Sequence, residues 1–117
     1  MTAYIVPLRS LGRADVQTVG GKNSSLGEML RSLGELGVSV PDGYATTVHA
    51  YRDFLRQGGL DARIAKALQG LDVDDLPALA RAGAEIRRAI LGAPLPPRLN
   101  EEVAAAWREL EIGRAHV

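Results

Sequence analysis

Lys22 is one of two lysines in the chain, and it directly follows the pair Gly20-Gly21 in "VGGKNSSLGEML". A helix is expected to start just after it. The first N–H groups of a helix lack internal partners, and the helix dipole places partial positive charge there. Glycines admit a close-lying anion, and a lysine adds a mobile full charge. Gly20, Gly21 and Lys22 are therefore candidates to hold a phosphate. The plainer reading is a glycine turn carrying an exposed lysine. The segment is not a Walker A loop, because Val16 stands where that motif needs its first glycine and Asn23 where it needs Ser or Thr.

Few other residues offer chemistry. Arg87 and Arg88 lie in a long helical pattern, with Ile86 and Ile90 marking its inner side. Arginine suits bidentate phosphate contacts, although solvated arginines satisfy the same pattern. His49 and His116 are the only histidines, and neither stands in a cluster with metal-ligand spacing. Asp72, Asp74 and Asp75 lack the glycine and the closing glutamate of a calcium loop, so Asp74 or Asp75 is expected to cap a helix. No Ser/His/Asp arrangement is evident, and no catalytic residue or metal ligand is assigned within the chain.

The elements that would position these residues follow from composition and periodicity. The 117 residues are 46% hydrophobic, enough for a core, and 24% charged. Acidic and basic residues number 14 each, which argues against non-specific nucleic-acid binding. Cysteine is absent, which excludes disulfides. No signal peptide and no apolar run of membrane-spanning length is read, so a cytoplasmic protein is expected.

Tyr4 to Val6, ended by Pro7, reads as a strand, and residues 8–21 read as loop. A helix starting near Asn23 to Ser25 would use Ser25 and Glu28 as a capping box and turn Leu26, Met29, Leu30 and Leu33 inward. "VSVPDGYATT" reads as extended with a turn at Pro41-Asp42-Gly43. Further helices are expected from Thr46 or Thr47, with Val48, Tyr51 and Leu55 inward, and from Asp61, with Ile64 and Leu68. A fourth should carry Leu76, Leu79, Gly83, Ile86 and Ile90, and a fifth, from about Pro97, should turn Leu99, Val103 and Trp107 inward. The fold class is thus α+β, mostly helical with a few short strands. Two strands alone make no stable sheet, so more are expected outside this segment.

Three blocks, "VGGKNSSLGEML", "LGVSVPDGYATTVHAYRDFL" and "EIRRAILGAPLPPRL", resemble in this order the start of phosphoenolpyruvate synthases, the pyruvate, water dikinases. The likeness runs from about Tyr4 to Leu110. It implies that residues 1–110 are the truncated N-terminal portion of an ATP-grasp nucleotide-binding domain. In that family ATP is split to AMP and phosphate, and a phosphohistidine on a swivelling domain carries the phosphoryl group. A C-terminal barrel delivers it to pyruvate, with Mg2+ required. The resemblance places Lys22, with Gly20 and Gly21, on the ATP phosphates, and matches Arg87 to an arginine expected near them. Thr46 and Thr47 match a recurring family pair, read as structural. Magnesium ligands, adenine pocket, carrier histidine and barrel are expected downstream. The intact enzyme is expected to be a homo-oligomer and this segment alone inactive.

Pyruvate, phosphate dikinases and rifampicin phosphotransferases share this region and are the alternative enzymes, and a small non-catalytic helical module is the alternative outside enzymes. After Leu110, "EIGRAHV" departs from the family pattern. It can be encoded by GAGATCGGAAGAGCACACGTC, which contains the start of a short-read sequencing adapter, so residues 111–117 are expected to be non-biological.

Overall fold

The structure, a computed structural model, describes residues 2–115. His116 therefore lies outside the described residues. Two short strands pair antiparallel: β1 (Ile5–Pro7) and β2 (Tyr44–Thr46), with Val6 opposite Ala45. Six helices follow in chain order: α1 (Val16–Val19), α2 (Gly21–Glu35), α3 (Val48–Gln57), α4 (Leu60–Leu68), α5 (Leu76–Gly92) and α6 (Pro97–Ala115). The segment is α+β and predominantly helical. It divides into two units, Met1–Tyr51 with Pro97–Val117, and Arg52–Pro96, and the division falls within α3.

In the first unit, Tyr4, Ala50 and Leu99 form one buried cluster, and Leu11, Val19 and Ala45 form another. Arg98 ties α6 to the chain start. Its guanidinium stacks 3.7 Å from the centre of the Tyr4 ring and donates to the Thr2 carbonyl at 2.8 Å. Thr47 performs the structural role expected of it: its hydroxyl donates to the Ala3 carbonyl at 2.7 Å and accepts from the Ala50 N–H at the start of α3. Thr46 is instead an exposed strand residue.

In the second unit, Phe54, Leu60 and Ala89 form the core, with Leu55, Ile90 and Ala93 against it. Asp75 caps α5, its carboxylate accepting from the Ala78 N–H at 3.1 Å, as the capping expectation for this stretch required. α4 is entered differently from the expectation. Gly59, at φ +67°, is its N-cap, and Asp61 accepts from the Ala62 N–H within the first turn.

Several inward faces differ from the pattern of large apolar residues. α2 buries Ser24 and Gly27, whereas Met29 is exposed. α3 buries Ala50 and Phe54 and leaves Tyr51 out. α5 buries Ala82 and Ala89, and Leu76 is 69% exposed. Leu99 is buried, but Val103 and Trp107 on α6 are exposed, Trp107 by 58%. On α2 and α5 the buried positions are small residues, which let a backbone approach its neighbour closely, whereas α3 and α6 bury the large Phe54 and Leu99. Residues 8–21 are also more regular than a loop. They hold 3-10 turns at Leu8–Ser10 and Arg13–Asp15, and then α1. Helix α6 continues past Leu110 to Ala115.

Candidate functional site

Gly20 separates α1 from α2. Its φ of +85° is a conformation that side chains rarely adopt, so glycine is required there. It is the N-cap of α2, and its carbonyl accepts from the Ser24 N–H at 3.1 Å. The N–H groups of Gly21, Lys22 and Asn23 thus precede the hydrogen-bond ladder of the helix. The expected capping box is corrected here. The helix starts at Gly21, Ser25 lies inside it, and no side chain caps it. Glu28 instead accepts from the Arg13 N–H at 3.0 Å and pairs with Arg31 at 3.4 Å.

The free terminus is held by polar side chains aimed at backbone carbonyls. The Asn23 amide donates to the Val19 carbonyl at 2.9 Å, fastening the end of α1 to the start of α2. The buried Ser24 hydroxyl donates to the Gly12 carbonyl, and Arg31 donates to the Leu11 carbonyl at 2.8 Å. Gly27 sits directly against the preceding segment. A Cβ there would stand 2.5 Å from the Leu11 carbonyl oxygen and 2.7 Å from that of Leu8. None of these four anchoring roles was read from the sequence. A glycine inside a helix, where it costs about 0.5–1 kcal/mol against alanine, was the available signal.

Gly21 contrasts with Gly27. A Cβ on Gly21 would meet no protein atom within 4 Å, and its φ is not positive. The described residues therefore leave open space around Gly21, as they do around Gly34 and Gly92. Lys22 is exposed, and no described residue forms an ion pair with it. Gly20, Gly21 and Lys22 stand together at one helix mouth with the chemistry to receive an anion.

Arg87 belongs to the second unit. It is exposed, and its guanidinium folds back along α5 over Gly83, with Nη1 3.2 Å from where a Cβ of that glycine would lie. Arg88 is exposed and lines a cleft in the same unit with Arg63 and Arg81. The sequence reading named neither Arg63 nor Arg81. His49 is half-buried in α3. Among the described residues no group of three or more His, Cys, Asp or Glu is placed to hold a metal ion. No described helix is long and apolar enough to cross a membrane.

A mostly helical α+β segment with an open, glycine-entered helix terminus is the kind of element that nucleotide-binding domains use for phosphates. The comparisons with known proteins give the family. A family model described as "Pyruvate phosphate dikinase, AMP/ATP-binding domain" matches residues 16–115. The chain belongs to that family. It is 54% identical over 113 residues to a phosphoenolpyruvate synthase of Pseudomonas aeruginosa (strain UCBPP-PA14), covering 97% of this chain and 14% of that protein. It is 51% identical over 107 residues to that of Neisseria meningitidis serogroup B (strain MC58), covering 92% and 14%. With that of Escherichia coli (strain K12) it shares 48% over 100 residues, covering 86% and 13%. The chain thus spans about 14% of the length of the curated relatives it matches.

Proposed function

We propose that this segment is the N-terminal part of an ATP-grasp domain, and that the protein containing it is a phosphoenolpyruvate synthase. In this reading ATP, pyruvate and water become AMP, phosphoenolpyruvate and phosphate through a phosphohistidine, in the cytoplasm and in a homo-oligomer. Family membership and the names of the relatives support the reaction. The carrier domain and the pyruvate barrel would lie in sequence outside this segment. In this reading the residues that hold Mg2+ lie there too.

The observation that carries the nucleotide site is the mouth of α2. Gly20 turns the chain, Gly21 leaves the backbone bare, and Lys22 brings a cation that no described residue pairs. In this proposal the three grip the ATP phosphates. Phosphoryl transfer depends mostly on positioning and on neutralising charge, and a lysine beside free N–H groups supplies both. For Arg87 the support is the resemblance of the Ile86-Arg87 pair, and its surroundings add nothing to it.

The test is AMP formation by the intact protein. Lys22→Ala is expected to lower it by about 100-fold while the circular dichroism spectrum stays unchanged. Normal AMP formation by that variant would remove Lys22 from the phosphates. Arg87→Gln and Arg88→Gln should be assayed separately. A large loss confined to Arg87→Gln supports the assignment, and equal, mild effects from both would end it.

A further inference from the structure

The second unit contains a cleft of about 680 Å³ whose lining includes none of Gly20, Gly21, Lys22 and Arg87. Its size falls in the range of roughly 300–1,000 Å³ usual for small-molecule sites. Arg81, Glu85, Arg88 and Gly92 line it from one face of α5, at steps of four, three and four. Arg63 lines it from α4, and the buried Leu60 and Ala89 form its apolar lining. Three guanidinium groups against one carboxylate leave two net positive charges in one concavity.

Among the described residues no ion pair engages those arginines. Glu85 is four residues after Arg81 and three before Arg88, spacings at which helical ion pairs ordinarily form. The ion pairs among the described residues nevertheless lie elsewhere: Arg9–Asp42, Arg31–Glu28, Arg56–Asp53 and Arg98–Glu102. The cleft also meets the start of α4 at Leu60, where Gly59 provides no side-chain cap. Asp61 occupies the Ala62 N–H, which leaves those of Leu60 and Asp61 ahead of the ladder.

We infer that this cleft binds a small phosphorylated molecule, its phosphate oxygens held by Arg63, Arg81 and Arg88. Forked guanidinium groups match phosphate oxygens two at a time. A concave site of this volume favours a compact ligand over an extended acidic peptide. Glu85, between two of the arginines, weakens the attraction, and this gives the inference a variant that should improve binding.

The experiment is calorimetric titration of the intact protein with inorganic pyrophosphate. Arg63→Gln combined with Arg88→Gln is expected to weaken binding by about tenfold or more for each arginine removed. Glu85→Gln should tighten it severalfold, and Lys22→Ala should leave this binding event in place. Loss of binding in Lys22→Ala, with no change in the arginine pair, would place the ligand at the nucleotide site and overturn the inference. Tighter binding of a hexaglutamate peptide than of pyrophosphate would also overturn it, in favour of a protein partner. If the double variant melts early, Glu85→Gln decides the matter: unchanged affinity there defeats the proposal. The nucleotide assignment stands or falls separately, on AMP formation by Lys22→Ala.

Discussion

The two units hold their helices by different means. In the first, α2 is fixed largely by polar side chains that reach backbone carbonyls and by a glycine pressed against the Leu8–Leu11 segment. In the second, α4 and α5 meet through Leu60, Phe54 and Ala89, and the charges stay outside. The difference teaches where precision is needed. Hydrogen bonds to carbonyls and a backbone-to-backbone contact fix the position and rotation of a helix narrowly, which suits a terminus proposed to meet an anion. Apolar packing is less directional, and it suffices for a unit whose cations are long, flexible arginines.

The sharpest way to break the comparison is to attack each unit at its anchor. Leu60 is the largest fully buried side chain, at 1% exposure. Leu60→Ala should cost about 3–4 kcal/mol, combining lost transfer energy with an unfilled cavity. Hydrogen exchange should show this as faster opening of α4 and α5. Protection unchanged in those helices would mean that the second unit does not depend on its apolar core.

Gly27→Ala comes next. A single methyl group would intrude on two backbone carbonyls, and backbone cannot step aside as a flexible side chain does. The expected cost is about 2–3 kcal/mol, in the upper part of the range for overpacking. The change should also shift the mouth of α2, so nucleotide affinity should fall although residue 27 is one turn or more from Lys22. Gly21→Ala is the matched control. Its methyl group meets no protein atom, so the fold should be unaffected and only ligand approach impaired. A stable, fully binding Gly27→Ala protein would refute the idea that this contact positions the site.

Much of this architecture was legible in the sequence. Glycine and proline punctuation located the helices from residue 48 onward, and the Asp75 cap followed from local chemistry, whereas the turn expected at Pro41-Asp42-Gly43 is absent and those residues run irregularly into β2. The rotation of the helices was not legible. Periodicity assigns the inside to the largest apolar residues, yet α2 and α5 pack on Ser24, Gly27, Ala82 and Ala89. Small residues win because they permit close approach, a property that hydrophobicity does not encode. Leu76, Val103 and Trp107 were expected inside and lie exposed. At the candidate site, the Gly-Lys segment stood out because glycine and lysine are chemically distinctive. Its anchors, Asn23, Ser24 and Arg31, are ordinary polar residues whose partners lie up to 20 positions away, and no local pattern reveals them.

The smallest effect sharpens the comparison at the edge of the first unit. The Tyr44 hydroxyl donates to the Glu109 carboxylate, linking β2 to α6. This hydrogen bond, followed by desolvation and the charge of Glu109, raises the Tyr44 pKa above its ordinary 10.0. A raised pKa means that the folded protein holds the phenol proton more tightly than the unfolded chain does. The resulting stabilisation is complete below the unfolded value and is lost as pH rises through the folded one. The pair is close to solvent, so its contribution to stability is small. The titration itself is the better reporter. In Glu109→Gln the phenolate absorbance of Tyr44 should appear at lower pH than in the unaltered protein, with Tyr44→Phe identifying the signal. An unshifted titration would show that the Tyr44–Glu109 hydrogen bond carries no weight in solution, so that α6 is held in the first unit by Leu99 and Arg98 against Tyr4 at the chain start.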